Sequence, residues 1–208
     1  MTDSVRIDAV YDTVLQLEAL GIEGDLVECG VYRGGSSMAM ALALNTTNCR
    51  DRTIWMFDTF QGMTRPEAHD VVLGSEEPAM EMFVATATGD NSSTLCAASL
   101  DDVKANIQAT DFPSERVRFV VGPVEETLSL RDLPERIPLL RLDTDWYAST
   151  RAELESLYPR LVSGGVLIVD DYHSWSGSKK AVDEYFLQND IRLPLIHVGG
   201  GSVMTVVP

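Results

Sequence analysis

The chain has 208 residues, 45% of them hydrophobic, a size that can bury one full core and that predicts a single domain over residues 1–208. Acidic residues outnumber basic residues by 32 to 16, and the formal net charge of −16 argues against nucleic acid and anionic membrane surfaces as partners. No stretch approaches the roughly 18 apolar residues of a membrane span, and the amino terminus lacks the basic and apolar segments of a secretion signal.

The first part of the chain predicts an opening helix followed by alternating strands and helices. Apolar residues recur at steps of three and four from position 5 to 20, which indicates an amphipathic helix ended by Gly21. Strand, helix, strand, helix and strand are then predicted over 26–29, 36–44, 53–57, 100–108 and 116–121. The long irregular stretch 61–99 predicts a lid or an insert.

The second part of the chain continues the alternation. Helices are predicted over 125–130, from about 150 onward and over 178–187, and strands over 137–142, 166–169, 193–198 and 202–207. Thr150 and Glu153 form a capping-box pattern that predicts a helix start, and Gly164 with Gly165 predicts the end of that helix. Three glycines join the last two strands into an antiparallel hairpin. The order predicts an α/β fold with a doubly wound, mostly parallel sheet.

The first group of candidate site residues follows the first two strands, at the sheet edge where open parallel sheets bind ligands. Glu28 precedes a turn in which Gly30 and Gly34 let the backbone approach a ligand, and Ser36 can cap the next helix. The turn is not G-x-G-x-x-G, and Glu28 would repel a dinucleotide pyrophosphate. Asp58 stands where a nucleoside-binding fold places its ribose carboxylate. The pair favours a nucleoside with a positively charged tail over NAD, although a plain turn and cap would use the same residues.

A second group of acids follows two later strands. Asp143 comes directly after one strand, and Asp170 and Asp171 come directly after the next. Three carboxylates at adjacent strand ends would repel and raise one another's pKa unless a cation joined them. An all-oxygen set selects Mg²⁺ or a similar hard ion over zinc, so we predict a magnesium site, with a loop cap as the alternative role.

Four stretches that carry these residues resemble the macrocin-type O-methyltransferases, magnesium-dependent enzymes that methylate sugar hydroxyls. They are residues 24–35 (GDLVECGVYRGG), 57–63 (FDTFQGM), 142–150 (LDTDWYAST) and 164–172 (GGVLIVDDY). The resemblance covers nearly the whole chain. Thr144 departs from the glycine that is frequent in the family, and the residues after Gly122 lack the aromatic residue common there.

The resemblance implies a seven-stranded, Rossmann-like class I methyltransferase fold with S-adenosylmethionine as the cofactor. It implies a sugar hydroxyl of a glycoside or oligosaccharide as the acceptor, and Mg²⁺ held by Asp143, Asp170 and Asp171. The residues expected to bind the cofactor are Glu28, Gly30, Gly34, Ser36, Asp58 and Gly122.

A sugar hydroxyl is a weak acid, so its methylation calls for a metal that stabilises the alkoxide and a base that takes the proton. Asp143 is the first candidate base, because the resemblance places it nearest the reacting hydroxyl. His173, directly after the acidic pair, is the second candidate, although a single loop histidine is more often a solvated side chain. The sulfonium is already an excellent leaving group, so the remaining task is in-line alignment.

Three other functions fit parts of the sequence. A catechol-type methyltransferase would share the fold, cofactor and metal site but accept an aromatic hydroxyl, while an NAD-dependent oxidoreductase and a non-catalytic binding domain are disfavoured by Glu28 and by the acidic triad. A homodimer is compatible with these expectations. Cys29, Cys49 and Cys96 are widely spaced, which predicts reduced thiols and a cytoplasmic protein.

Overall fold

A computed structural model describes residues 3–47, 51–129 and 132–208. Its helices are α1 (Ser4–Ala19), α2 (Gly35–Thr47), α3 (Ala79–Thr86), α4 (Leu100–Gln108), α5 (Val124–Thr127), α6 (Tyr147–Leu157) and α7 (Ser176–Gln188). Its strands are β1 (Leu26–Cys29), β2 (Ile54–Asp58), β3 (Ala87–Gly89), β4 (Ser92–Ser93), β5 (Val117–Val121), β6 (Ile137–Leu142), β7 (Leu161–Val169), β8 (Ile196–Gly199) and β9 (Ser202–Val206). Cys49 and the predicted helix end at residue 130 lie outside the described residues.

One seven-stranded sheet organises the molecule, in the order β5-β2-β1-β6-β7-β9-β8. Strands β5, β2, β1, β6 and β7 pair with their neighbours in parallel. Strand β9 runs antiparallel to both β7 and β8. The chain begins at the centre with β1 and winds outward in both directions, as a doubly wound sheet does. The predicted fold class and the closing antiparallel hairpin are confirmed.

Helices cover both faces of the sheet because successive strand residues point to opposite sides. In β2, Ile54 and Met56 join a core cluster with residues of α1, α2 and α4, while Trp55 and Phe57 join another cluster with residues of α5, α6 and α7. All four residues of β1 are buried, which explains why this strand reads as a continuous apolar run broken only by Glu28. No helix in the described part of the chain has the length and apolar character needed to cross a membrane.

The predicted capping box is wrong, because α6 begins earlier in the chain. The helix starts at Tyr147, and its N-cap residue Trp146 makes no side-chain capping bond. Thr150 and Glu153 therefore lie inside the helix. Glu153 instead accepts a hydrogen bond from the Thr144 hydroxyl at 2.9 Å, which ties the loop after β6 to the helix.

The predicted helix end at Gly164 and Gly165 is also wrong. Both residues lie inside β7, where Gly164 has a φ of 78° and its amide donates to the Val207 carbonyl at 2.8 Å. A Cβ on Gly165 would lie 2.8 Å from the Val162 carbonyl oxygen. The glycines thus allow an irregular start of the strand, where its register against β6 shifts.

Hydrogen bonds just beyond the strand ends align the candidate site residues along one sheet edge. The Asp143 amide donates to the Cys29 carbonyl at 2.8 Å, and the Asp170 amide donates to the Leu142 carbonyl at 2.9 Å. The corresponding bonds from Gly30 to Phe57 and from Gly122 to Asp58 are 2.9 and 3.0 Å long. The carboxyl ends of β5, β2, β1, β6 and β7 therefore meet along this edge.

Candidate active site

A cavity of about 620 Å³ opens at the carboxyl ends of these strands. Its lining includes five of the predicted cofactor residues, which are Glu28, Gly30, Ser36, Asp58 and Gly122. It also includes the three acids of the predicted metal site, Asp143, Asp170 and Asp171. The structure thus brings both predicted groups of residues into one space large enough for a cofactor and part of an acceptor.

Glu28 is fully buried at the end of β1 and contacts a buried arginine. Its carboxylate accepts from Arg141 Nη1 at 2.8 Å and from the hydroxyl of Ser37 in the first turn of α2. Burial raises the pKa of Glu28, while Arg141 and the hydroxyl partners act in the opposite direction. The carboxylate is therefore fixed in place, facing the space above the glycine turn.

Asp58 holds the same turn from the neighbouring strand. Its Oδ2 accepts from the amides of Val31 and Tyr32 at 2.7 and 3.0 Å, and its Oδ1 accepts from Phe60 at 2.7 Å. Tyr32 has a φ of 50°, a conformation that these hydrogen bonds stabilise. Asp58 lines the cavity and also orders the backbone that a nucleoside would touch.

Three carboxylates lie together at the ends of β6 and β7. Single oxygen atoms of Asp143, Asp145 and Asp171 all lie within 4.8 Å of one another. Burial and the neighbouring acids raise the pKa of Asp143 and Asp171 well above the usual range, and burial raises that of Asp145 to about 7. Carboxylates forced together in this way are stabilised by a bound cation, and the all-oxygen set suits a hard ion such as Mg²⁺.

Asp170 is not a member of this cluster of three, which differs from the predicted triad. Its carboxylate accepts from Arg141 Nη2 at 2.7 Å and from Arg6 Nη1. The difference arises in the turn that follows β7, where two arginines hold the Asp170 carboxylate while the Asp171 carboxylate joins Asp143 and Asp145. In the described geometry, Asp145 occupies the third position that was predicted for Asp170.

The two remaining predicted site residues lie outside the cavity lining. His173 is exposed, and its ring packs 4.9 Å from that of Tyr172 and 6.0 Å from that of His197. The structure therefore does not bring His173 to Asp143 as a second base. Gly34 has a φ of 84°, and a Cβ there would lie 3.3 Å from a methyl group of Val103, so this glycine shapes the turn and its packing.

Three further residues at the site were not among the site residues predicted from the sequence. Arg141 donates to Glu28 and Asp143 at 2.8 Å each and to Asp170 at 2.7 Å, yet only its position inside the apolar run of β6 marks it as unusual. Asp145 was signalled by the Asp-x-Asp spacing at the end of that strand. Arg6, on the far side of Asp170, carries no such signal, because the sequence does not show where α1 packs.

Comparison with known proteins identifies relatives of the whole chain. Residues 1–205 match the family Macrocin-O-methyltransferase (TylF). Demethyldecarbamoylnovobiocin O-methyltransferase of Streptomyces niveus is 34% identical over 199 residues, which are 95% of this chain and 71% of the relative. The 8-demethyl-8-(2,3-dimethoxy-alpha-L-rhamnosyl)-tetracenomycin-C 4'-O-methyltransferase of Streptomyces olivaceus is 35% identical over 200 residues, with the same coverage of 95% and 71%. The structure of the O-methyltransferase NovP superimposes with a TM-score of 0.83 at 33% identity, covering 98% of this chain and 79% of NovP.

Proposed function

The chain belongs to the macrocin O-methyltransferase family, and from this premise we propose that it uses Mg²⁺ to transfer the methyl group of S-adenosylmethionine to a sugar hydroxyl. The reaction class and the cofactor follow from the family. The acceptor, the metal and the residues that bind them are the proposal. One observation carries it, namely that Glu28 and Asp58 share a cavity with a separate cluster of three carboxylates.

The cofactor is proposed to bind across the ends of β1, β2 and β5. The fixed carboxylate of Glu28 suits the ammonium group of the amino-acid tail, and Asp58 suits the ribose hydroxyls. Gly30 keeps the turn after β1 packed against the loop after β6, because a Cβ there would lie 2.1 Å from the Asp143 carbonyl oxygen. The adenine would lie near Gly122, which lines the same cavity with a φ of 138°.

The carboxylate cluster is proposed to hold Mg²⁺. Asp143 and Asp171 belong both to the predicted triad and to the observed cluster, and Asp145 and Asp170 are alternatives for the third position. A bound Mg²⁺ supplies positive charge that stabilises the developing alkoxide of the acceptor. Asp143 is proposed to accept the hydroxyl proton, because its carboxylate belongs to the cluster and Arg141 fixes its Oδ2 at 2.8 Å.

The proposed acceptor is a sugar hydroxyl of a glycoside or oligosaccharide. One relative carries a rhamnosyl group in its name, which supports a glycoside acceptor for this chain. Trp175 lines the cavity, and its amide donates to the Asp171 carbonyl at 3.0 Å; its aromatic ring is a suitable surface for the apolar face of a sugar. The catechol-type alternative would place a flat aromatic ring at the same position.

A methyl-transfer screen tests the proposal. The protein is incubated with S-adenosylmethionine and Mg²⁺ against a panel of mono- and oligosaccharides, including partly methylated mannosides and glucosides, and against catechols as controls. We expect methylation of a saccharide, its loss in excess chelator and its return with added Mg²⁺. Transfer to catechols alone would overturn the acceptor assignment, and full activity in chelator would overturn the metal assignment.

A further inference from the structure

Arg6 projects from the first turn of α1 into the cavity. Its side chain is only 12% exposed, and its Nη1 donates to Asp170. The guanidinium packs against the glycine turn of the β8–β9 hairpin, where a Cβ on Gly200 would lie 3.2 Å from Arg6 Cζ. The backbone of this turn of helix is held as well, because the Arg6 amide donates to the Asp3 carboxylate at 3.0 Å. Arg6 is thus positioned from both sides at the wall of the cavity.

This wall adjoins the turn where the cofactor tail is proposed to bind. Ile7, the next residue of α1, lies against the start of α2, since a Cβ on Gly35 would be 3.7 Å from Ile7 Cδ1. Asp170, the partner of Arg6, shares the guanidinium of Arg141 with Glu28. Arg6 and Glu28 therefore line the same cavity and are linked through Asp170 and Arg141.

The charges of the cofactor tail require a cation at this place. The amino-acid end of S-adenosylmethionine carries both an ammonium and a carboxylate, and Glu28 can accept only from the ammonium. The acids that line the cavity would repel the carboxylate, and they are Glu28, Asp58, Glu125, Asp143, Asp145, Asp170 and Asp171. Among the described lining residues, Arg6 and Arg33 are the cations, and the exposed Arg33 lies over the ring of Tyr32 at 5.3 Å.

We propose that Arg6 binds the carboxylate of the cofactor's amino-acid tail. The inference rests on the proposed placement of the tail ammonium at Glu28. A guanidinium carries five N–H donors in a planar fork that matches a carboxylate, so Arg6 can donate to the cofactor while it keeps its ion pairs with Asp170 and Asp3. The carboxylate of the tail would then bind Arg6 of α1, and its ammonium would bind Glu28 of β1.

Two ligands that differ only in the tail provide the test. S-adenosylhomocysteine has the amino-acid end, whereas 5'-methylthioadenosine keeps the nucleoside and sulfur but lacks both charged groups. By calorimetry, Arg6→Met should weaken S-adenosylhomocysteine about 10- to 100-fold, as expected for a charged hydrogen bond, and leave 5'-methylthioadenosine nearly unchanged. Arg6→Lys should recover part of the loss, because it restores the charge without the fork. Arg192→Met, at an exposed arginine that pairs with Asp190 and does not line the cavity, is the matched control and should change neither affinity.

The other outcomes are informative. Equal loss for both ligands in Arg6→Met would overturn the inference, because the residue would then support the fold or Asp170 and would not read the tail. Unchanged affinity for S-adenosylhomocysteine would overturn it as well. Failure of the unaltered protein to bind S-adenosylhomocysteine would instead contradict the proposed cofactor site on which the inference rests.

Discussion

Arg141 joins the two halves of the site through one side chain. Its guanidinium is 1% exposed and contacts Glu28 at the end of β1, Asp143 after β6 and Asp170 after β7. The three carboxylates raise the pKa of Arg141, so the residue stays charged at any physiological pH. A buried arginine that is shared in this way fixes the distance between the proposed binding sites for the tail and the acceptor.

Removal of Arg141 should therefore destabilise the protein. Arg141→Met would leave two buried carboxylates and the partly buried Asp143 without their shared counter-charge, and loss of one partner of a buried ion pair costs about 3–5 kcal/mol. Urea unfolding followed by fluorescence would measure the loss. Arg118→Met, at an exposed arginine that contacts the Glu115 backbone carbonyl, is the control and should change the free energy of unfolding little. Equal stability of the Arg141 variant would show that the cluster does not need this charge.

Carboxamide substitutions should identify the metal ligands. Asp171→Asn keeps the shape but removes a charge from the cluster, so the Mg²⁺ concentration for half-maximal activity should rise at least about 10-fold, with partial recovery at high Mg²⁺. Asp101→Asn, at an exposed acid on α4, serves as the control. An unchanged Mg²⁺ requirement in Asp171→Asn would remove that residue from the site.

The same Mg²⁺ titration of activity identifies the third metal ligand. The described geometry predicts a larger effect for Asp145→Asn than for Asp170→Asn, because Asp145 belongs to the cluster and Asp170 faces two arginines. The reverse ranking would favour the triad predicted from the sequence. It would also mean that the contacts of Asp170 with Arg6 or Arg141 rearrange when the ion binds.

At the scale of elements, the segment 61–99 contains more structure than its sequence predicts. It forms α3 and the short β3–β4 pair, and its earlier part is attached to the helices beside the site. Asp70 is 1% exposed and accepts from the Tyr147 amide at 2.9 Å, close to the start of α6. Gly177 in α7 leaves room for this carboxylate, since a Cβ there would lie 1.7 Å from Asp70 Oδ1. The later part reaches the cavity with Met82 and Leu95.

Hydrogen exchange should distinguish the part of this segment that is attached to the core from the part that moves when ligands bind. We expect exchange at 79–96 to slow when S-adenosylhomocysteine and an acceptor are both present, because these residues would close over the ligands. Residues 70–73 are the internal control and should be protected with or without ligands, since Leu73 donates to the Ser174 carbonyl at 2.9 Å. Exchange at 79–96 that is indifferent to both ligands would end the lid hypothesis.

At the scale of the whole molecule, the excess of acid predicts an unusual response to pH. The chain has a net charge of −16, and several of its acids are buried at the site with raised pKa values, including Asp145 at about 7. A group whose pKa is raised on folding favours folding below its unfolded pKa, and this contribution is lost as the pH rises through the folded value. Cation-free protein should therefore become more stable as the pH falls from 8 toward 5.5.

Thermal unfolding at several pH values tests this expectation. In chelator, the melting temperature should rise on mild acidification, by about 2–4 °C for each kcal/mol gained. Added Mg²⁺ should flatten the dependence, because the cation stabilises the ionised carboxylates at high pH. Asp145→Asn should show a smaller rise in chelator than the unaltered protein. A melting temperature that falls between pH 8 and 5.5 in chelator would contradict the raised pKa values.

The sequence by itself determined the fold class and the bounds of several elements in this protein. Apolar periodicity and glycine-bearing turns are local properties, so β1, β6 and α4 were predicted with the bounds that the structure has. The acids after β1, β2, β6 and β7 could be assigned to one edge, because parallel strands direct their carboxyl ends to the same side.

Only the tertiary structure decided which acids meet and which cations oppose them. Asp145 joined Asp143 and Asp171, while Asp170 turned toward Arg6 and Arg141, a choice set by side-chain direction and by packing between distant elements. Arg6 and Asp170 are 164 positions apart in the chain, and no local pattern connects them. Their contact depends on how α1 packs beside the sheet, which is a property of the assembled core.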